Sequence, residues 1–253
     1  SVIFVGGILQ ARVDESDFIS AFESGDVTIN AGGAFIDSNG FAIGISTALS
    51  GTGGLTKQGA GTLTLSGTNT YAGGTTVNSG LIQFATGSNL GTSTIILDGG
   101  GLQWASGSTV DLSARLDPLG TAGGTFDTNS NNVTLATAIS GTGRLTKQGA
   151  GTLTLSGANT YSGGTTITTG TLAQGASGAF ASDTAYTVNG GTLDLNDFAL
   201  TASSLSGSGG SVDLGNANLI IDQSGTTSFS GGISGTGAVV KQGTGALVLY
   251  GAN

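Results

Sequence analysis

The sequence predicts an all-β protein, a parallel β-helix (β-solenoid) of about eleven coils. Three observations carry that prediction. Residues 50–77 read SGTGGLTKQGAGTLTLSGTNTYAGGTTV and residues 140–167 read SGTGRLTKQGAGTLTLSGANTYSGGTTI, an offset of 90 with differences only at 54/144, 68/158, 72/162 and 77/167. Within each unit the period is two: in Thr62-Leu63-Thr64-Leu65 and Thr152-Leu153-Thr154-Leu155 the leucines share one face and the threonines the other. Glycine supplies 49 of the 253 residues, with a single proline (Pro118) and only 8% charged residues. That is too little proline for collagen, and the mean hydropathy of +0.23 is too high for disorder.

Strands this short and this poor in charge cannot each build a separate core. Stacked as coils, each one hydrogen-bonds to the coils above and below, about 4.8 Å away, and the inward Leu, Val and Ile form one continuous interior. At roughly 20–25 residues per coil, a period of 90 is about four coils, and the rod is about 50–55 Å long. An up-and-down barrel or sandwich has no reason to repeat near-identically every 90 residues.

The elements follow in chain order. Residues 1–34 are expected to form the N-terminal coils, with an acidic segment as a candidate cap. Residues 35–124 form a first repeat unit and 125–210 a second. Residues 211–253 form a truncated third, in which SGTGAVVKQGTGALVLYGAN restarts at Ser234 and stops at the Asn equivalent to Asn69 and Asn159. Short strands are expected at 27–29, 94–97, 133–135, 192–195 and 219–221, each bounded by Gly, Asn, Ser or Asp turns. The opening apolar run Val2–Leu9 is far short of the ~20 residues of a spanning helix. It has no basic leader and no initiator Met, so the chain is expected to be a piece of a longer one.

Composition excludes several classes. Without His or Cys there is no Ser-His-Asp triad, no Cys nucleophile, no disulfide and no zinc site of the usual kind. A net charge of -9 with six Lys and Arg argues against nucleic acid and against an electrostatic membrane anchor. No catalytic, cofactor-binding or metal-ligating residue is assigned, and no cofactor is expected.

The 28-residue motif, with Gly, Lys, Leu-x-Leu, Asn-Thr-Tyr and Gly-Gly-Thr-Thr in fixed order, resembles the passenger-associated transport repeat of bacterial autotransporters, the type V secreted proteins of Gram-negative bacteria. The resemblance covers two complete units and one truncated unit. It implies a right-handed β-helical passenger, exported by a C-terminal outer-membrane β-barrel translocator that this chain does not include. The implied location is the cell surface or the medium, as a stalk and export module active in adhesion or self-association, with host-cell or glycan surfaces as partners. Such passengers include adhesins, proteases, esterases and toxins.

Several residues invite a chemical reading. Lys57, Lys147 and Lys241 share one repeat position. They are expected to be turn residues whose stems cover apolar surface and whose ammonium groups meet carbonyls or acids, since a catalytic lysine is not needed three times. Leu55-Thr56-Lys57-Gln58 lacks the Ser/Thr and glycine spacing of a phosphate loop. Asp37, Asp127 and Asp213 are read as repeat-related Asx-turn residues. Calcium is the rival reading, and Asn189-Gly190-Gly191-Thr192-Leu193-Asp194 is its nearest approach to a binding repeat.

Asp14, Glu15, Asp17, Glu23 and Asp26 are read as a solvated or capping segment. It is either irregular or a short amphipathic helix through Val13, Phe18 and Phe22, with a carboxylate pair for glycoside hydrolysis as the alternative. A polysaccharide lyase is the main rival for the whole chain, and its case is weakened because Arg12, Arg115 and Arg144 are scattered in sequence. Tyr71, Tyr161, Trp104 and Phe84 are expected to pack inside the solenoid, with an exposed sugar-binding strip as the alternative. Asp111–Pro118 breaks the β pattern and reads as a protruding loop, the favoured place for something specific.

Overall fold

Period-two segments bounded by glycine fold as read. The computed structural model describes residues 1–19, 22–23 and 25–251, and every registered strand pair in it is parallel. Among the described residues the only helical elements are two short 3₁₀ turns, Gly87–Leu90 and Ser113–Arg115. Sheets of nine, six, five and fewer strands run along the faces of a solenoid. The nine-stranded sheet starts at Ala42–Ile45 and ends at Ser204–Ser206. An isolated bridge from Gly207 to Phe229 extends it to the pair Thr227–Phe229 and Leu247–Leu249, which makes about eleven coils.

The interior is a set of ladders. Along one of them Ile43, Leu63, Ile82, Leu102 and Phe126 lie in register on successive strands, each buried. Beside it run Ile45, Leu65, Phe84 and Trp104, the last two meeting edge to face at 5.2 Å. Burying one such leucine contributes about 1.5–3 kcal/mol, and repetition along the rod replaces the compact core of a globular domain.

Coils rise by about 20 residues, as Leu55 to Thr75 to Ile95 shows. The repeat is therefore not a whole number of coils. Four steps up the nine-stranded sheet lead from Leu63 through Ile82, Leu102 and Phe126 to Lys147, but Leu153, the repeat-equivalent of Leu63, lies in the six-stranded sheet. Each unit of 90 advances four coils and one further face. Identical strands thus present themselves on different sides of the rod: Leu55–Gln58 is in the five-stranded sheet and Leu145–Gln148 in the nine-stranded one.

Candidate functional site

The repeat motif faces inward. In Leu55–Gln58 alternation places Lys57 on the same side as Leu55, and the side chain is fully buried between Ile36 below and Val77 above. Lys147 is equally buried, between Phe126 and Ile167. This corrects the expectation of a turn residue: the position is a strand interior, and only the ammonium reaches the corner. There Lys57 Nζ donates to the carbonyls of Gln58 (2.7 Å), Gly59 (2.7 Å) and Ser79 (3.2 Å). Lys147 Nζ donates to Gln148, Gly149 and Thr169 at 2.7, 2.8 and 3.3 Å. Burial lowers both amines to about 8, against the opposing pull of Asp37 and Asp127.

The motif's asparagine and tyrosine are also internal. Asn69 and Asn159 are buried and pin backbone groups of neighbouring coils. Tyr71 and Tyr161 bond the hydroxyls of Thr75 and Thr165 at 2.6 and 2.8 Å, and burial pushes both phenols up to about 12. With Trp104 and Phe84 also buried, these rings form no exposed sugar-stacking strip. Asn253, the third copy's asparagine, lies outside the described residues.

The aspartates make Asx turns. Asp37, Asp127 and Asp213 accept the N–H two residues on, from Asn39, Asn129 and Gly215, at 2.8, 2.8 and 3.0 Å. Asp194, in the segment nearest a calcium repeat, does the same with Asn196 at 2.8 Å. The third member of the Asp37/Asp127 series is Asp222, not Asp213. Asp37 pairs in register with Gln58, Asp127 with Gln148 and Asp222 with Gln242, each glutamine following the repeat lysine.

The acidic segment takes the irregular form, and no helix occurs over its described residues; Ser20, Ala21 and Ser24 lie outside them. It caps the first strand of the nine-stranded sheet. Asp14 accepts the N–H of Ala42 at 2.7 Å, Asp17 accepts the hydroxyl of Ser46 at 3.0 Å, and Glu15 exchanges backbone bonds with Ala42 and Gly44. Carboxylates engaged this way cover a sheet edge that would otherwise offer itself to another strand.

Asp111–Pro118 does not protrude as a free loop. Leu112 is buried, Leu116 bridges Ile95, and the Arg115 guanidinium is spent on the carbonyls of Gly87, Leu90, Gly91 and Ser93 at 2.7–2.9 Å. The turn continues the wall of the coil.

With its motif turned inward, the rod presents its lateral faces. The nine strands of the longest sheet carry only two charged residues, Asp127 and the buried Lys147. Outward from it, Thr125, Thr146, Thr166, Thr187 and Ser206 stand in register as one column. A second line of side-chain bonds joins Thr64, Gln83, Gln103 and Asp127 at 3.3, 2.7 and 2.7 Å. At the column's upper end a shallow polar groove is lined by Thr187, Asn189, Ser206, Ser208, Thr227 and Ser230. Sequence reading recognised Thr-rich faces but not this column, because its members belong to different repeat contexts and meet only through the one-face advance of the repeat.

These features define a repeat-built parallel β-solenoid with an internal motif and a flank whose strands are poor in charge. Residues 55–84, 145–173 and 239–253 match the passenger-associated transport repeat. Over 246 aligned residues the chain is 38% identical to the adhesin BmaC autotransporter of Brucella suis biovar 1 (strain 1330), covering 88% of this chain and 7% of that protein. The chain thus spans a small fraction of the length of the curated relative it matches. No solved structure gives a significant match. The chain is an autotransporter passenger segment with passenger-associated transport repeats, and its place is the cell surface or the secreted fraction.

Proposed function

We propose that this segment is a non-enzymatic, adhesive part of its passenger: a rigid rod that displays the column Thr125–Ser206 and its polar groove to other surfaces. The observation that carries the reading is that this flank is nearly free of charge on a chain of net charge -9. The strands that carry the column hold one acid, Asp127, so acid–acid repulsion opposes the approach of a second rod little along it. The similarity to a protein named an adhesin supports the same reading. In the whole protein, a C-terminal outer-membrane β-barrel is the translocation partner, and the tandem units 35–124, 125–210 and 211–253 follow an N-terminal portion, 1–34. Contact is with a second rod or with a host-cell or glycan surface.

The test is a binding screen against cultured cells and a glycan array, with sedimentation alongside. Thr187→Lys with Ser206→Lys should abolish saturable binding or self-association, and Thr154→Lys on the six-stranded sheet should leave it intact. Equal behaviour of the two variants, or monomers that bind nothing, would overturn the adhesive reading and leave a passive stalk.

A further inference from the structure

We infer that the repeat lysine is a latch between successive coils, its ammonium being the donor cluster onto which the next coil closes in register. The sequence repeats the residue at 57, 147 and 241, and at the first two the structure holds the same three-carbonyl arrangement. At Lys57 and Lys147 two acceptors belong to the lysine's own corner and the third, Ser79 or Thr169, belongs to the coil above. With that coil in place the side chain is fully buried.

The residue that follows the third acceptor belongs to the same device. Gly80 and Gly170 have φ of +65° and +68°, and a Cβ at either would lie 2.8 or 2.7 Å from the lysine Nζ. Glycine lets the upper coil settle against the ammonium. A coil displaced by one residue would turn Val77 or Ile167 outward, and it would bring a different carbonyl to the ammonium. The lysine therefore tests register by hydrogen bonding where the apolar ladders test it by burial. An aliphatic residue there would take a donor from each of the three carbonyls; Gln58 and Gln148 would keep the N–H of Ser38 and Thr128, while the other two would lose the ammonium with no backbone donor of that kind beside them.

The experiment is chemical rescue in the 253-residue chain. Lys57→Ala, refolded at pH 7, should show faster amide exchange at Asn78 and Leu81 than the wild type, since the bonds to Lys57 O and Gly61 O stitch the upper coil down. n-Propylammonium, which replaces the three carbons and the nitrogen that alanine lacks, should restore at least half of the lost protection when present during refolding, and tetramethylammonium, which has no N–H, should restore none. If Lys57→Ala does not fold, Lys57→Met keeps the stem and removes the donors, and it should show the same loss at Asn78 and Leu81. Wild-type protection in Lys57→Met, or equal effects of the two ammonium ions, would overturn the latch.

Discussion

The side-chain amide of Asn69 accepts the backbone N–H of Leu49, one coil below, at 2.7 Å, and its own N–H₂ donates upward to the carbonyl of Asn89. Ninety residues later Asn159 repeats the arrangement between Ile139 and Ala179. An asparagine can do this because one amide carries both an acceptor and donors in a plane. It bridges three coils where the backbone turns away from its own ladder.

Asn159→Ala follows directly as a test. It orphans the Ile139 N–H and the Ala179 carbonyl, and each buried unmatched group costs about 1–3 kcal/mol. Because solenoid stability is a sum over neighbours, the loss should be local. Amide exchange at Ile139 should accelerate at least tenfold while Leu102 keeps its protection. Unchanged exchange at Ile139 would mean that the amide merely fills space.

The buried lysines set a pH dependence with a definite sign. Folding lowers Lys57 and Lys147 from 10.5 to about 8. Between those values the unfolded chain holds more protons than the folded one, so stability rises with pH across the window and levels off above it. Asp37 and Asp127, the acids that face the two amines, oppose the shift without cancelling it. Urea midpoints measured from pH 7 to 10.5 should therefore climb for the wild type relative to the double variant Lys57→Met, Lys147→Met. A falling difference would show that the carbonyl cage outweighs the cost of burying the charge.

Much of this was legible in the sequence. Thr62–Leu65 and Thr152–Leu155 alternate as strands must, and the 90-residue identity required stacking. The buried lysine was not read correctly, although its parity with Leu55 and Leu145 placed it on the inward side. A charged residue argues for the surface until backbone carbonyls from another coil are known to receive it. The outward column from Thr125 to Ser206 was hidden for a related reason. Register between coils depends on insertions such as the 3₁₀ turn Ser113–Arg115, which no pattern within one repeat specifies. Asp213 shares the Asx turn of Asp37 and Asp127, whereas strand pairing gives the repeat position to Asp222.

Gly170→Ala probes the close approach of two coils. The residue has φ +68°, and a Cβ would overlap the carbonyl oxygens of Gly149 and Gly151 as well as crowd Lys147 Nζ. Where the backbone fits, a glycine-to-alanine change stabilises by about 0.4–1 kcal/mol through the unfolded chain. Here it should destabilise instead, seen as a lower thermal midpoint and faster exchange at Thr168 and Thr171. Gly178→Ala is the control: its φ of +72° carries the same strain, but no atom lies within 4 Å of the added Cβ. The crowding at Gly170 is confirmed only if its loss clearly exceeds that of Gly178→Ala.

Arg115 provides the last test, because it shows whether the Asp111–Pro118 turn is a structural staple. Its guanidinium gathers the carbonyls of Gly87, Leu90, Gly91 and Ser93, which the 3₁₀ turn Gly87–Leu90 leaves converging on one point. Lysine offers one compact head in place of a planar fork and cannot reach all four. Arg115→Lys should therefore loosen the turn nearly as much as Arg115→Ala, and limited proteolysis should cut both variants between 86 and 93 well before the wild type. Binding to cells or glycans should be unaffected, since the uncharged column lies on other strands. Loss of binding with proteolytic resistance intact would reverse the assignment and make Arg115 part of a recognition surface.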